Sequence, residues 1–591
     1  MKKNSENLKE RYDNAISVRS EYESVWQDIA DFVGIQVATN YIHSPQQKGD
    51  VRDTEINDPT AALAVNQAGD YLQGILWGTG DEVITLEPSD WVLQRAKPQI
   101  LTKYYDFRTN QLLKNMNHSR SGFNTALKSY FYDQVAFGTS GIGVFKNQEY
   151  LEGQEDVPYV FRSYGVDNFA IDEGKNGLVD VVFVVYRWRV NRIVSEFEEV
   201  YDTLPDKIKK AFNENNLNEE FSLVHAIFPR KDYHPKYKGK RGAKYKGAWF
   251  LEDDESKVFF EEDYRTLPIG VCRAIKLRGE IYGRSSGSLL ISSIKSADYI
   301  LGKTIEILEK MASPSLGIWN NALFGDSVLD TSADGVVTFN QSLMGGSQVP
   351  VFPIHDIGDP TGIIKFLLPY LNEKIATGFK IDILLDFSSA KDMTATESMQ
   401  RYNIRGKSLG GILQQQKIEM FEVVIHRCVQ LEDDMNLAGV NPTQEKDLAR
   451  IVEAAGNAQI IVPDAVAQAM KEGKQWYKIK FNNELDRLSK TQAMERVIQS
   501  VNAIMMIGQA FPKIVDAVEW YKIWADVNKY LGVDYIKDEE EFKAILIKQM
   551  EMQQGAMQMQ AMQVGAETGK NIAQGKKHAA EAKQIDGGTP N

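Results

Sequence analysis

The first part of the chain repeats large side chains at steps of three and four residues. The positions are Tyr12, Ile16, Arg19, Tyr22, Trp26, Ile29 and Val33. This spacing predicts an amphipathic helix that is buried on one side. Three more helices are predicted up to residue 138. One begins at Pro59 behind the candidate cap Asp58, one covers about 101–117, and one ends at Gly138.

Between about 139 and 277 the pattern changes to that of strands. β-Branched and aromatic residues stand in short runs, namely TSGIGVFKN, VPYVFRSY, FAIDEG, LVDVVFVVYRWRV, FSLVHAIFPR, AWFLEDD, KVFFEED and VCRAIKL. Gly, Asp and Asn separate these runs, which predicts strands joined by turns. One short helix, VNRIVSEFEEVYDTL, is predicted among them. Gly141 and Gly143 lack a third glycine and a following helix, so they predict a strand and not a dinucleotide-binding loop.

The stretch SADYILGKTIEILEKMASP contains Gly-Lys-Thr at 302–304, which is how a phosphate-binding P-loop ends. A P-loop also needs a glycine where this chain has Ala297, and it follows a buried strand. Instead, apolar residues recur at helical steps straight through Gly302. A helix is therefore predicted from serines near 285 to Pro314. A second near match at 406–408 lies in another helical pattern, so no nucleotide-binding motif is predicted.

The next part of the chain is predicted to alternate between sheet and helix. A β-rich section from about 315 to 358 carries several turn signals, and a helix with a kink at Pro369 follows it to about 385. A polar interruption covers 386–393. Thr394 and Glu397 then form a capping box, which starts a helix to about 431. The remainder to 551 is predicted to be mostly helical, and helix and disorder both remain open for the Met/Gln/Ala-rich tail.

Composition narrows the classes of function. The 591 residues suffice for several domains with a large core. The net charge of −13 argues against a protein that grips nucleic acid tightly, but not against one that DNA slides past. Cys272 and Cys428 are the two cysteines, which predicts a reducing compartment. The chain has no run of about 18 apolar residues and no apolar signal core, so no membrane association is expected.

The most basic segment is RKDYHPKYKGKRGAKYKG, between two predicted strands. Its candidate contact residues are Lys236, Lys238, Lys240, Arg241 and Lys244. Cations that alternate with tyrosine rings can bind nucleic acid. A solvated hairpin tip or a contact between subunits is the favoured alternative, and the choice stays open at the level of sequence.

No catalytic constellation is found in the sequence. The histidines have no ligand spacing, neither cysteine has a partner at zinc spacing, and G-x-S-x-G and H-E-x-x-H are absent. Paired acids such as Glu261–Glu262 and Asp433–Asp434 are interpreted as solvated surface charges. We therefore expect no enzymatic activity, no metal and no cofactor.

Four segments, in this order along the chain, resemble motifs of one family. They are FYDQVAFGTSGIGVF, IYGRSSGSLLISSIKSADYI, MTATESMQRYNIRGKSLGGILQQQKIEMFEVVIHR and AFPKIVDAVEWYKIWADVNKYLGV. The family is that of the portal proteins, the head-to-tail connecting proteins of short-tailed bacteriophages, and the resemblance covers about residues 10–550. Ser286 stands where the family usually has proline, a departure that concerns helix boundaries and not the class.

The resemblance implies an α+β, mainly helical portal fold with wing, stem, clip and crown, assembled as a ring of usually twelve subunits. In chain order the parts are the wing (1–284), the first stem helix (285–314), the clip (315–358), the second stem helix (359–385), the tunnel loop (386–393), a long wing helix (394–440), a C-terminal helical wing and crown (441–551) and a low-complexity tail (552–591). The implied DNA-facing residues are Asp386, Ser388, Ser389, Lys391 and Asp392 in the tunnel loop, with Lys295 and Lys303 on the first stem helix.

The function implied by the resemblance is a channel at one capsid vertex for DNA packaging and ejection and for joining head to tail. The implied partners are further copies of the chain, double-stranded DNA, the large terminase subunit, the major capsid and scaffold proteins, and tail adaptor proteins. The ring would assemble in the host cytoplasm and reside in the virion. Two alternatives stay open: another ring-forming capsid or tail protein such as an adaptor, and a DNA-packaging enzyme.

Overall fold

The computed structural model describes residues 2–33, 56–78, 83–96, 98–151, 153, 156–234, 240–253, 258–313, 316–320, 336–340, 351–353, 361–379, 411, 414–435, 437, 462–482, 497, 499–504, 506, 523 and 566–577. The chain forms two units, Met1–Glu484 and Leu485–Asn591. The described residues of the second unit are helical, and those at 566–577 are exposed. All strands among the described residues lie in the first unit.

Helix predominates over sheet among the described residues of the first unit. Its helices are α1 (Lys2–Phe32), α2 (Thr60–Leu76), α3 (Asp90–Leu93), α4 (Pro98–Asn117), α5 (Phe123–Phe137), α6 (Gln148–Leu151), α7 (Val190–Glu196), α8 (Asp206–Asn213), α9 (Ser286–Ala312), α10 (Thr361–Gly378), α11 (Glu422–Asp434) and α12 (Asp464–Glu472). Its strands are β1 (Ile84–Pro88), β2 (Thr139–Lys146), β3 (Tyr159–Tyr164), β4 (Phe169–Glu173), β5 (Val179–Arg189), β6 (Glu220–Pro229), β7 (Tyr245–Leu251), β8 (Val258–Tyr264), β9 (Ile269–Arg273), β10 (Leu316–Asn320), β11 (Val336–Asn340), β12 (Val351–Pro353) and β13 (Tyr477–Phe481).

The N-terminal helices confirm the helices predicted from the spacing of apolar residues. Trp26 and Ile29 of α1 are buried, as their spacing predicts. The Asp58 carboxylate accepts a hydrogen bond from the Thr60 N–H at 3.0 Å, at the start of α2. The C-cap of α5 is Gly138, whose φ of 83° lies in the left-handed region that favours glycine.

Strands β4 to β8 form an antiparallel five-stranded sheet in chain order. α1 covers one face of this sheet through Leu8 and Tyr12. The other face is covered by the α7–α8 region through Ile193, Phe197 and Ile208. A strand buried on both faces reads as a nearly continuous apolar run, which explains the sequence VDVVFVV at the start of β5.

The single helix predicted over VNRIVSEFEEVYDTL is wrong. The structure has α7, then a 3-10 segment at Glu198–Thr203 in which Val200 departs from helical geometry, and then α8. The Phe197 ring packs into the core, with its centre 5.3 Å from that of Trp249 and 5.1 Å from that of Phe259. Tertiary packing therefore overrides the local helical pattern at this point.

A fully buried histidine lies in the centre of this sheet. The His225 ring stacks on Trp249 with ring centres 4.2 Å apart and planes 6° from parallel. Burial lowers the pKa of His225 to about 3, whereas an exposed histidine has a pKa of about 6.5. The unfolded chain therefore takes up a proton first as the pH falls, and the stability that the neutral ring contributes is lost between pH 6.5 and 3.

We expect His225→Phe to keep the stack on Trp249 and to remove this acid sensitivity. The free energy of unfolding of the variant should equal that of the parent within about 1 kcal/mol at pH 7.5 and exceed it by about 2–3 kcal/mol at pH 4. Urea titrations at the two pH values, followed by tryptophan fluorescence, provide the measurement. Parallel pH profiles of parent and variant would contradict the expectation.

Two smaller sheets lie beside the five-stranded sheet in the first unit. β2 lies between β3 and β9 in an antiparallel three-stranded sheet, and α5 and α11 pack against it. β1 pairs with β13, with Ile84 opposite Phe481 and Pro88 opposite Tyr477. β13 is a short strand in the part of the chain after 431 that the sequence predicts to be mostly helical, and its alternating sequence YKIKF is typical of a strand with one buried face.

The predicted β-rich section is confirmed by three strands after α9. β10 is central, parallel to β11 and antiparallel to β12. α10 follows and contains Pro369, while the predicted end of this helix near 385 lies outside the described residues. A Cβ on Gly378 would collide with the Leu290 side chain. The end of α10 therefore packs against the first part of α9.

Candidate channel and assembly surface

Two of the sequence motifs cross where α5 ends and α9 is about to begin. A Cβ added to Gly138 would lie 2.5 Å from the Arg284 carbonyl carbon, and one added to Gly283 would lie 2.5 Å from the Gly138 oxygen. The Gly283 N–H donates a hydrogen bond to Thr139 Oγ1 at 2.9 Å. The crossing leaves no room for a side chain, so glycine is required at both positions.

The third motif packs on this crossing. The described end of this motif, from residue 414, continues to residue 434; it contains helical residues 414–416, a π-helical turn at Lys417–Phe421 and α11, and we call residues 414–434 the return segment. The buried Tyr130 of α5 donates a hydrogen bond to the side-chain oxygen of Gln416. Motifs far apart in sequence thus form one packed body, which we call the motif junction.

A buried arginine stabilises the motif junction. The Arg273 side chain binds the Glu419 carboxylate, and its backbone N–H donates to the same carboxylate at 3.0 Å. Arg273 also binds Glu173 and donates to the Gly177 carbonyl oxygen at 2.8 Å. Neither Arg273 nor Glu419 has appreciable contact with solvent. Each charge is buried with a partner, so neither can be removed alone without a large cost.

α9 begins as the sequence predicts. The Ser288 N–H donates to Ser285 Oγ at 2.9 Å and the Ser285 N–H donates to Ser288 Oγ at 3.1 Å, which is a reciprocal cap. The helix continues through Gly302 to Ala312. The Gly-Lys-Thr sequence therefore lies inside a helix and does not form a P-loop, in agreement with the prediction.

Gly302 is explained by a close approach of the chain that leads into α2. A Cβ on Gly302 would lie 2.5 Å from Asn57 Nδ2. One turn earlier, the Asp298 carboxylate accepts hydrogen bonds from the backbone N–H groups of Asn57 and Asp58 at 2.6 and 3.0 Å. Glycine is thus present because another segment crosses the helix at this point.

Both candidate channel lysines lie on α9 and form ion pairs. Lys295 Nζ is 2.8 Å from Asp28 Oδ1 of α1 and 5.2 Å from the centre of the Phe32 ring. Lys303 Nζ is 2.8 Å from Glu306 Oε1, and this pair raises the pKa of Lys303. Each cation is neutralised locally, which weakens any attraction to phosphate groups.

α9 and α10 expose large apolar side chains. We call this set the apolar stem surface, and it comprises Leu289, Tyr299, Ile305, Leu308 and Met311 on α9 with Phe366, Leu367 and Tyr370 on α10. Phe366 is 79% exposed. Ile305, Leu308 and Met311 follow one another at three-residue steps and so lie on one face of α9. This number of large exposed apolar side chains on two packed helices makes the pair a candidate surface for contact with another molecule.

Some of the other predicted site residues lie outside the part of the chain that the structure describes. Asp386, Ser388, Ser389, Lys391, Asp392, Lys236 and Lys238 lie outside the described residues. Lys240, Arg241 and Lys244 are exposed on the connection between β6 and β7. Arg241 Nε is 3.9 Å from Asp232 Oδ2, and Lys244 Nζ is 5.3 Å from the centre of the Tyr245 ring. Their role in binding nucleic acid or a subunit stays a prediction.

The two acids predicted to be solvated at the end of α11 differ, because Asp434 is exposed whereas Asp433 pairs with a buried arginine. Glu432 is fully buried and accepts hydrogen bonds from Asn115 Nδ2 at 2.8 Å and the Tyr159 hydroxyl at 3.1 Å. The buried Arg108 of α4 is 3.3 Å from Glu432 and 2.7 Å from Asp433. Burial raises the pKa of Asp433 to about 7, against the opposing effect of Arg108. Arg108 thus fastens the end of α11 to α4.

The described residues contain no group of three or more His, Cys, Asp or Glu side chains that could hold a metal ion. Cys272 and Cys428 are free and buried, and burial raises the pKa of both thiols, which makes them poor nucleophiles. No helix in the described ranges combines the length and the apolar character that a bilayer crossing requires.

A comparison with protein families gives a match over nearly the whole chain. The family model described as bacteriophage head to tail connecting protein matches residues 5–535. The chain belongs to this family. The resemblance predicted from the four motifs is confirmed, and the family is named for a structural role in the phage particle.

This connecting protein is similar to the probable portal protein of Bordetella phage BPP-1. The two are 21% identical over 571 residues, which are 95% of this chain and 94% of the relative. Among solved structures, it is similar to a chain in the neck of an empty gene transfer agent particle computed with C6 symmetry, with 10% identity, a TM-score of 0.30 and coverage of 75% and 86%. A chain in the virion of a native gene transfer agent particle is also similar, with 11% identity, a TM-score of 0.27 and coverage of 71% and 91%.

Sequence reasoning missed the charged residues that stabilise the connecting protein's motif junction. Arg273 ends a strand and Arg108 lies within a helix, and at both positions the sequence pattern is equally typical of a solvated arginine. Glu419 likewise has the spacing of an ordinary helical residue. The sequence marked the motifs around Gly138 and Gly283 as family features but did not predict that they cross.

Proposed function

We propose that this connecting protein forms the ring-shaped channel at one vertex of the phage capsid. DNA enters the head through this channel during packaging and leaves through it during ejection, and the ring joins head to tail. The ring contains about twelve subunits, as the family resemblance implies. Such a closed ring needs a head-to-tail interface that is repeated by rotation.

The observation that carries the proposal is the apolar stem surface in a member of this family. A long helix buries its apolar face against its own chain, but α9 and α10 leave large apolar groups exposed on other faces. A neighbouring copy of the same helix pair supplies a matching apolar partner. Burying each large side chain contributes about 1.5–3 kcal/mol, so a few such residues on each side support a stable interface.

Charge supports a channel that conducts DNA without holding it. The chain carries a net charge of −13, and Lys295 and Lys303 are paired with Asp28 and Glu306. Duplex DNA is held by the release of counterions when free cations neutralise its phosphates. A surface whose cations are already paired releases few counterions, so the DNA can slide.

The remaining parts follow the family order. α9 and α10 form the stem, the β10–β12 sheet forms the clip that receives tail adaptor proteins, and residues 386–393 form the tunnel loop around DNA. The large terminase subunit docks on the ring and hydrolyses nucleotide, and scaffold and major capsid proteins surround the wing. The ring assembles in the host cytoplasm and becomes part of the virion at the portal vertex.

Ring formation is tested by charging the apolar stem surface. We expect the parent chain to form rings and the double variant Leu308→Lys/Phe366→Lys to stay monomeric. Losing two apolar contacts reduces the binding free energy of each interface by about 3 kcal/mol or more. The association constant of the interface therefore falls at least about a hundredfold. Mass photometry and negative-stain views down the ring axis give the readout. Leu178→Lys, an exposed leucine elsewhere, is the control that should assemble, and rings from the double variant would contradict the proposal.

The tunnel loop is tested by removing residues 388–391. We expect rings to assemble normally but particles to package or retain DNA poorly, because Lys391 offers each subunit one weak, salt-screened phosphate contact beside Asp386 and Asp392. Packaged genome length in particles built with the shortened ring is the measurement. Lys391→Gln, which keeps the loop length, separates charge from shape. Full-length, stably retained genomes with the shortened loop would show that it does not face DNA.

A further inference from the structure

A cavity of about 320 Å³ lies between α2 and α5. Every residue that lines it belongs to the described part of the chain. Its hydrogen-bonding side chains include Asn66 and Asp70 of α2 with Thr125, Lys128, Ser129 and Asp133 of α5. Four of these residues are exposed, so the cavity opens to the surface. Its volume is that of a small ligand pocket and exceeds what one water molecule fills.

Hydrogen-bond acceptors dominate the wall of this cavity. Asn66 Nδ2 donates to the Ala62 carbonyl oxygen at 2.9 Å, which leaves the side-chain oxygen of Asn66 as an acceptor. Asp70 and Asp133 contribute carboxylates, and the hydroxyl groups of the lining serine and threonine accept as well as donate. The positive charge of Lys128 lies 3.4 Å from Asp70 Oδ1 at the exposed rim. Such a wall suits a group with several N–H donors.

Asp133 is the acid of this cavity that needs a cation. It is partly buried, and its carboxylate has no hydrogen bond or ion pair with any other residue that the structure describes. Burial raises the pKa of Asp133 well above the ordinary range of aspartate, and the nearby Asp167 carboxylate adds to this effect. A carboxylate in such surroundings becomes favourable in its charged form when a cation binds beside it.

An exposed turn between β9 and α9 carries an arginine that needs an acid. The Glu280 N–H donates to the Leu277 carbonyl oxygen at 3.2 Å, and Gly279 has a φ of +85°, which makes residues 277–280 a β-turn with Arg278 at its tip. Among the arginines that the structure describes, Arg278 is the one whose side chain has no hydrogen bond, ion pair or ring contact. Leu277 beside it is 46% exposed.

The base of this turn is fixed to the rest of the first unit. The Arg284 N–H donates to the Ile275 carbonyl oxygen at 2.9 Å. Lys276 Nζ donates to the Gly177 carbonyl oxygen at 3.0 Å. The turn therefore presents Arg278 from a held position, which lowers the entropy cost of a contact made through its tip.

We propose that Arg278 of one copy of the chain binds in the cavity between α2 and α5 of a neighbouring copy, with Asp133 as its ion-pair partner. We call this cavity the α2–α5 pocket. A guanidinium group presents five N–H donors in one plane and is less strongly hydrated than an ammonium group, so it matches a wall of several acceptors. The turn and the pocket are different surfaces, as a head-to-tail contact repeated by rotation requires. This contact rests on the proposed ring, to which it adds a polar interaction besides the apolar stem surface.

Exchanging the two charges tests the contact between copies. Asp133→Lys places an ammonium group against Arg278, and Arg278→Asp places a carboxylate against Asp133. Each variant should therefore raise the protein concentration at which half of the rings dissociate by at least about tenfold. The double variant Asp133→Lys/Arg278→Asp pairs opposite charges again, with a longer side chain opposite a shorter one, and should return to within about threefold of the parent. Mass photometry across a dilution series at low ionic strength gives the readout.

Arg162→Asp is the matched control, because it makes the same change of charge at an exposed arginine of β3. It should leave ring dissociation unchanged. If Asp133→Lys does not fold, Asp133→Asn keeps the shape of the side chain and should weaken rings of the parent but not those of Arg278→Asp. Single variants without effect, a double variant that dissociates as readily as the single ones, or a control with the same effect would each overturn the contact.

A small probe tests the pocket without ring assembly. In Arg278→Asp the pocket lacks its proposed occupant, so N-acetyl-arginine amide should bind there. N-acetyl-citrulline amide, which is uncharged and nearly the same in shape, should bind at least about tenfold more weakly. Adding Asp133→Asn should remove the difference between the two probes. Isothermal titration calorimetry measures both affinities, and equal binding of the probes, or a difference that persists in Asp133→Asn, contradicts the role of Asp133.

The two experiments separate this contact from the proposed ring. Parent rings that are indifferent to both single substitutions support the ring and overturn the contact. A parent chain that forms no rings, but whose pocket binds the arginine probe through Asp133, contradicts the proposed function. The pocket then remains a guanidinium site, and its assignment to Arg278 of a neighbouring copy is overturned.

Discussion

Replacing Gly138 with alanine is expected to prevent the first unit from folding normally. The added Cβ would lie 2.5–2.6 Å from backbone atoms of residues 283–285, and φ at this position is +83°. The left-handed conformation alone costs about 1–2 kcal/mol for a residue with a side chain. Backbone atoms cannot move aside as a flexible side chain can, so the crossing at the motif junction has to open. We expect the free energy of unfolding to fall by at least about 4 kcal/mol, which is among the largest effects of single substitutions.

Gly279→Ala is the matched control for this experiment. Gly279 has a φ of +85°, nearly the same as Gly138, but a Cβ there meets nothing within 4 Å. Gly279→Ala should lower the free energy of unfolding only by the cost of the left-handed backbone conformation, about 1–2 kcal/mol. Soluble yield and the midpoint of thermal unfolding are the measurements. If both variants lose the same stability, the crossing of the two motifs is not what requires glycine at Gly138.

Replacing Arg273 with methionine is expected to have a comparably large effect. The substitution leaves the Glu419 carboxylate buried, with its side chain 1% exposed, and without its cation. Removing one partner of a buried ion pair typically costs about 3–5 kcal/mol. Loss of the hydrogen bond to the Gly177 carbonyl oxygen adds to this cost. Denaturant titration of parent and variant measures the difference.

Two further variants make the result specific. Arg284→Met removes an arginine that pairs with Glu280 on the surface, and exposed pairs contribute about 0–1 kcal/mol. The double variant Arg273→Met/Glu419→Met removes both buried charges and should recover much of the lost stability. The stabilising role of the Arg273–Glu419 pair would be refuted if Arg273→Met were as stable as Arg284→Met. It would also be refuted if Arg273→Met/Glu419→Met were less stable than Arg273→Met alone.

Features set by local periodicity could be predicted from the sequence. The helix through Gly302 has a regular apolar spacing and a serine cap, and both are properties of neighbouring residues. The strands from β2 to β9 were recognisable because their runs alternate with turn residues. The apolar stem surface lies on helices that the sequence predicted, but which of their faces are exposed depends on how α9 packs on α1 and α10.

Features set by distant partners could not be predicted. β13 is only five residues long and pairs with β1, which lies near the other end of the first unit in sequence. The π-helical turn at 417–421 has the same residue pattern as an α-helix, and its geometry depends on Arg273, Met420 and Gly270 meeting in space. Asp433 was misjudged for the same reason, because only its contact with Arg108 distinguishes it from a surface acid.

The pairing of β1 with β13 sets the order of events during synthesis. The Lys480 side chain on β13 donates a hydrogen bond to the carboxylate of Glu87 on β1, which lies 393 residues earlier in the chain. At translation rates of about 5–20 residues per second, the ribosome needs about 20–80 s to make the intervening chain. During this time β1 has no strand to pair with, and Tyr105 lacks the Trp476 carbonyl oxygen to which its hydroxyl donates at 2.6 Å. A polypeptide that terminates before β13 therefore cannot complete the β1–β13 sheet, so truncated chains differ structurally from full-length ones as soon as synthesis stops.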